Sequence, residues 1–370
     1  MSGPGRNASS SGSDPSRDRG RVTRRDFLVR SANVGLAATL GGLVGYGLLR
    51  REPEPWDAGA FPTPGPARVA VVPAASYEAD LEGLVLDGLR AIGADVRGRR
   101  VLLKPNLVEY VRGTTINTNP RLVAATVLAL RRLGAASVTV GEGPGHRRDT
   151  ELVVAQSGLL DALRDVDARF VDLNAAELVP RPLRSRFTTL RSLWLPRPVV
   201  EADVVVSMPK MKTHHWAGVT LALKNCFGCV PSRVYGWPKN VLHWAGLHEA
   251  IVDVAAAVRP AMAIVDGIVG MEGNGPIQGT PVDAGVLVFG DDPVATDVTA
   301  AGLMGVDPER VSYLAQAGRF LGQADPELIR QVGEDPTSLG RPFGLLPSFA
   351  WLRPGAPMPE MGEGGFAPPG

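Results

Sequence analysis

The stretch MPKMKTHHWAGVTLALKNCFGCVP, Met208–Pro231, gathers three of the chain's five lysines, two of its five histidines and both of its cysteines. Elsewhere the chain carries positive charge almost entirely on arginine: 34 arginines stand against Lys104, Lys210, Lys212, Lys224 and Lys239. An ammonium is compact, loses its proton more readily on burial, and can act as a base or as a point-charge ligand for carboxylate and phosphate. Lysine where arginine is the habit therefore marks positions that need the smaller group. The histidines keep the same company. His214 and His215 follow Lys212, His243 and His248 lie just downstream, and His146 ends GEGPGH.

These residue types suggest two chemistries. Lys210, His214, Lys224, His248, Asp266 and Glu272 form a candidate catalytic set, able to move protons next to a carbonyl. Lys104, Asn106, Lys212, Asn225 and Asp292 are candidate ligand-binding residues for a small anionic molecule. A divalent transition metal on His214, His243, His248 and Asp266 is the alternative use of the same side chains. No zincin, zinc-ribbon or EF-hand spacing is present. His214 and His215, as neighbours on a strand, should face opposite ways. Cys226 and Cys229 follow VTLALKN, read as a helix already under way. They are therefore not at a helix start, where a thiol is activated, and read as core residues or a short-loop disulfide, with a redox or metal role as the alternative. Two cysteines cannot supply four thiolates to an iron–sulfur cluster. Three functions remain: an enzyme acting on a small carboxylate or phosphate, a membrane-tethered anion- or metal-binding protein without turnover, and a cofactor-dependent electron-transfer protein.

The elements that must position these residues alternate. Short β-branched runs predict strands at 68–72, 100–103, 137–140, 169–173, 203–207, 261–265 and 285–289, separated by helical periods. Their near-continuous apolar character suits a mostly parallel α/β sheet with helices on both faces. Asn119 caps, Pro120 opens and Gly134 stops one helix. Five strands end in a charged residue beside Gly or Pro: Lys104, Glu142, Lys210, Asp266 and Asp291-Asp292. In open α/β sheets ligands lie outside the carboxyl ends of the strands, so a site is expected on that edge. DGIVGMEGNGPIQGTP, 266–281, reads as a glycine-rich loop in which Glu272 is a candidate acid, base or ligand.

Residues 1–60 hold nine arginines and six acids, and the remaining chain 30 basic and 32 acidic residues. A slightly acidic body has no electrostatic footprint for nucleic acid. Residues 1–30 read as a disordered basic segment containing TRRDFLVR, with Thr23, Arg24, Arg25, Phe27 and Leu28 in the pattern of a twin-arginine export signal. The apolar run at 31–49 is then a signal or a retained membrane anchor, and 50–66 a Pro-rich linker. The α/β domain follows over 67–340, with its motif core at 100–310, and 341–370 is a Pro/Gly-rich tail. The implied partners are the export machinery and, if the run is uncleaved, the membrane. The implied location is extracytoplasmic.

With KPN (104–106), TNP (118–120), GEGPG (141–145), PKMKTH (209–214), VTLALKNCFGCVP (219–231), VDGIVGMEGNGP (265–276) and DPVATD (292–297) in this order, the chain resembles the domain-of-unknown-function 362 family. The resemblance implies a shared α/β fold with a polar, motif-lined site, and it supplies no reaction. Some members carry a ferredoxin-like cysteine cluster, which this chain lacks.

Overall fold

The β-branched runs pair into one sheet. A computed structural model describes residues 53–145 and 149–359; the export motif and apolar run lie outside the described residues. All seven predicted strands are present, as β1 (Ala67–Pro73), β2 (Arg100–Pro105), β3 (Ser137–Glu142), β4 (Arg169–Asp172), β7 (Val204–Met208), β10 (Met262–Glu272) and β11 (Thr280–Gly290). Five more were not foreseen: β5 (Leu178–Pro182) and β6 (Ser192–Pro196), which form a separate hairpin, β8 (Lys210–His214), β9 (Gly218–Thr220) and β12 (Ile329–Gly333).

The main sheet runs β12-β1-β11-β10-β7-β2-β3-β4, with β8 on β10 and β9 on β8. Strands β10, β7, β2, β3 and β4 are mutually parallel, and β11 is antiparallel to both β10 and β1. Side chains alternate across the sheet as the strand period requires. Val69, Val71 and Leu102 enter one buried cluster, with helices 247–258 and 293–303. Ala70, Val101 and Leu103 enter the other, with helices 81–91 and 120–132. Helices thus cover both faces. Asn119 caps the second of these as expected, its side chain accepting from Arg121 N at 2.9 Å.

Three expectations change. Asp266 does not open a loop, because β10 continues to Glu272. The glycines inside it mark close approach: a Cβ on Gly270 would collide with Phe343 and with the Met211 carbonyl of β8, a common use of glycine in a strand. VTLALKN is not one helix, since Val219 and Thr220 lie in β9 and the helix covers only Ala222–Asn225. The packed body also reaches beyond residue 340, with Phe343, Phe349 and Leu352 buried in the first cluster. Ahead of β1, Trp56 stacks on Phe320 at 4.7 Å and Phe61 is buried. Among the described residues no helix is long and apolar enough to cross a membrane.

Candidate functional site

At the carboxyl ends of β2, β3 and β8 the structure opens a cavity of about 850 Å³. Four of the five lysines line it: Lys104, Lys212, Lys224 and Lys239. Lys104 ends the apolar run of β2 and is 1% exposed; its Nζ donates to Glu142 Oε2 (2.6 Å), Asn225 Oδ1 (2.8 Å) and Pro105 O (2.8 Å). Three protons meet three acceptors, and Glu142 also takes the amides of Leu107 and Gly143. The CFGC turn lies over this ion pair, and a Cβ at Gly228 would collide with both Glu142 Oε1 and Lys104 Nζ. Glycine is required there for contact rather than for backbone freedom.

Lys239 is spent in the same way. Its Nζ donates to Gly143 O, Phe227 O and Val230 O at 2.6–2.9 Å, tying the GEGPG loop to the CFGC turn. Burial pulls its ammonium down to about 7, with the Glu142 carboxylate acting the other way. Lys212 is fully buried and makes one hydrogen bond, to Ile116 O at 2.8 Å. Burial, then the charges of Lys224 and Lys210, push it well below its ordinary value. Lys224 differs from these three. It is partly exposed to the cavity, its Nζ lies 4.5 Å from the centre of the Phe227 ring, and it makes no hydrogen bond or ion pair among the described residues. Burial and then Lys104 bring it down to about 8.

The helix bearing Lys224 starts where Asp297 accepts the amides of Ala222 (2.6 Å) and Leu223 (3.0 Å). Burial raises that carboxyl to about 8, opposed by those two amides. DPVATD therefore acts on the site through Lys224's backbone.

Three imidazoles line the cavity: His214, His215 and His243. His214 Nδ1 accepts from Trp216 N (3.1 Å) and Ala217 N (3.2 Å), which leaves its proton on Nε2. Burial, followed by Lys224, lowers it well below the usual histidine value, so the ring is neutral. In His215 and His243 the tautomer is reversed. Nδ1–H donates to Gly275 O (2.6 Å) and to Lys239 O (3.0 Å) respectively, leaving the Nε2 lone pair available. His214 and His215 were expected on opposite faces, yet both line the cavity with ring centres 5.0 Å apart. β8 ends at His214, so strand alternation stops there.

Two further polar atoms lack partners. Asn106 Oδ1 and Thr220 Oγ1 are buried and unbonded, and both residues line the cavity. Thr220 stands opposite Lys212 in the β8–β9 register, which places the two side chains on one face. Asn225 is committed internally, its Nδ2 donating to Lys104 O and Ser207 Oγ.

The other predicted residues lie elsewhere. Lys210 Nζ donates to Asp266 Oδ2 (2.6 Å), Tyr77 Oη and Val269 O in a separate buried cluster. His248 stacks on Tyr313 at 6.0 Å, its Nδ1 buried without a partner. Glu272 accepts from Gly344 N. Asp292 is at the wrong edge, because β11 runs antiparallel; its carboxylate caps the following helix through Val294 N and Ala295 N. The metal set His214, His243, His248 and Asp266 does not assemble, and no group of three His, Cys, Asp or Glu suited to a metal occurs among the described residues. Cys226 and Cys229 are free, buried thiols rather than a disulfide, and burial raises both, Cys229 to about 12. His146 lies outside the described residues. Sequence reasoning missed Glu142, Lys239, His215 and Thr220 as site residues. The lysine count already pointed to Lys239, whereas Thr220 carried no signal.

Burial lowers His214, His215, His243 and His248 alike. Below about pH 6.5, the ordinary histidine value, the unfolded chain takes up protons that the folded chain refuses, so stability falls with pH. Asp292 and Asp297 are raised and work in the opposite direction. The imidazoles, joined by Lys212 and Lys239, whose ammonium forms burial also disfavours, set the sign: the thermal midpoint should drop between pH 7 and pH 5, as read by calorimetry. An unchanged or higher midpoint at pH 5 would mean the imidazoles are not held neutral.

Fold and cavity together define an α/β protein with a cationic, histidine-lined site at the carboxyl edge of its parallel strands. The chain belongs to the family described as Domain of unknown function (DUF362), whose model matches residues 101–302. A thylakoid-associated protein of Synechocystis sp. is 32% identical over 265 residues, covering 68% of this chain and 79% of that protein. Among solved structures, the lactate racemase apoprotein from Thermoanaerobacterium thermosaccharolyticum aligns with a TM-score of 0.44 and 16% identity. That alignment covers 67% of this chain and 58% of that one.

Proposed function

We propose that this chain is an enzyme that binds a small carboxylate or phosphate in the cavity and moves a proton next to a carbonyl. The observation that carries this reading is the arrangement of three imidazoles in one lysine-lined cavity: one presents Nε2–H, and two present an Nε2 lone pair. The field of Lys212 and Lys224, with Asn106 and Thr220, holds the anion. His214 donates to the carbonyl oxygen as that oxygen gains charge, and His215 or His243 takes the proton from the neighbouring carbon. A neutral imidazole suits the donor role because its Nε2–H is not lost to solvent at working pH.

The test is hydrogen exchange into pyruvate in D₂O, followed by proton NMR, alongside calorimetric titration with malonate and phosphate. Accelerated exchange of the methyl protons supports the reading. Binding of malonate without exchange would make the chain a non-catalytic anion-binding protein, and no binding of either anion would remove the site.

We also place the protein outside the cytoplasm. The support is the Thr23–Leu28 pattern and the apolar run that follows it; the name of the Synechocystis relative associates that protein with thylakoids. Arg24→Lys with Arg25→Lys should retain the chain in the cytoplasm on cell fractionation, and unchanged export would refute the assignment.

A further inference from the structure

We propose that Lys224 is a nucleophilic amine that forms an imine with a substrate carrying both a carbonyl and a carboxylate, a 2-oxo acid in the simplest case. The inference rests on reading the cavity as an anion-binding enzyme site and goes beyond it by naming a covalent step and a substrate class.

Four features separate Lys224 from its neighbours. Lys104 and Lys239 each give all three protons to protein acceptors. Lys212 is 0% exposed and held by Ile116 O. Lys224 alone has a nitrogen with no acceptor among the described residues, and it alone is partly open to the cavity. Its stem is fixed by the short helix that Asp297 starts and by the Phe227 ring. Its ammonium rests on the Phe227 ring and makes no ion pair among the described residues. Lys104 is the charge that depresses it, and His214 on the same cavity is neutral. An amine forced among cations and out of water is the recurring way to keep a lysine nucleophilic. A value of about 8 leaves a useful neutral fraction near neutral pH.

The step balances without an outside reagent. The Nζ lone pair forms the C–N bond while the carbonyl π pair moves to oxygen. One nitrogen proton moves to that oxygen. Loss of the resulting hydroxyl with the second nitrogen proton releases one water and leaves the imine. Protonated on nitrogen, the imine withdraws electrons from the adjacent carbon, and a C–H there becomes acidic enough for the Nε2 of His215 or His243 to remove. The carboxylate of the same substrate is left for Lys212, with Asn106 and Thr220 beside it.

The rival role for Lys224 is that of a point-charge anchor, and arginine separates the two. The full chain is incubated with pyruvate and sodium borohydride, which reduces an imine to a stable secondary amine, and the product is digested and mapped by mass spectrometry. One reduced pyruvate adduct per chain on Lys224 is expected. It should be absent in Lys224→Arg, which keeps the charge, and on the unsubstituted chain its rate should rise as pH passes through about 8. The titratable and charged groups that line the cavity with this amine are Lys104, Lys212, Lys239, His214, His215, His243, Glu109 and Glu142. Absence of an adduct, or an adduct on another lysine, overturns the proposal. Mapping the unmodified sequence keeps the result decisive even if a variant misfolds. Malonate, which has carboxylates and no reactive carbonyl, is titrated in parallel. If malonate binds and no adduct forms, only the imine fails. If malonate does not bind either, the anion-site reading fails with it.

Discussion

Replacing Lys210 by methionine should cost the fold about 3–5 kcal/mol, the usual penalty for leaving one partner of a buried ion pair without the other. Lys210 and Asp266 are 2% and 0% exposed, with Nζ 2.6 Å from Oδ2. The pair is the centre of a closed network. Tyr77 Oη donates to Asp266 Oδ1 at 2.7 Å and accepts from Lys210, while Asn119 N donates to Asp266 Oδ2 at 2.9 Å. Four segments distant in sequence therefore meet on one carboxylate. Removing the ammonium leaves that carboxylate in a dry interior, where its solvation is lost and nothing opposes its charge. Urea titration should show a lower midpoint with an unchanged slope. Adding Asp266→Asn should recover part of the loss, because the amide is neutral: its oxygen accepts from Asn119 N while its NH2 donates to Tyr77 Oη, whose hydroxyl can turn. Removing an exposed pair such as Arg164–Asp161 should change little, since water already screens it. A Lys210→Met protein with the wild-type midpoint would mean that the network contributes nothing.

The second large effect concerns turnover. His214→Ala should lower pyruvate exchange by about 10²–10³-fold, the usual result of deleting one donor to a developing oxyanion, with a small change in KM. The reason lies in the backbone: the amides of Trp216 and Ala217 hold Nδ1, so only Nε2–H is available to a ligand. Since burial keeps this imidazole neutral well below the ordinary histidine range, its loss should scale the pH–rate profile down without moving its acid limb. A displaced acid limb would assign His214 the role of base instead, and unchanged exchange would place it outside the reaction.

Much of this architecture can be read locally. The seven β-branched runs became strands because a continuous apolar segment can satisfy its backbone and bury both faces only inside a covered sheet. The cap at Asn119 and the helix stop at Gly134 were legible because each depends on a few adjacent residues. The rarity of lysine likewise pointed to the cavity, and four of five lysines line it.

What the sequence could not tell apart were the lysines themselves. Lys210 and Lys212 sit two residues apart in β8, a strand with no apolar run to announce it, and they serve different places. One closes a structural network with Asp266, and the other lines the cavity beside Thr220. Asp292 looked equivalent to Asp266, but the antiparallel course of β11 carries it to the far edge of the sheet. His243 and His248, five residues apart, part company because the first precedes the helix that the second begins.

Seven of the strands, the helix signals and the short roster of residues capable of chemistry follow from side-chain type and local spacing. Tertiary structure alone decided which members of the roster share a cavity, which imidazole nitrogen keeps its proton and which ammonium is left unbonded. Each of those depends on an acceptor, a carbonyl or a strand direction supplied by a distant part of the chain.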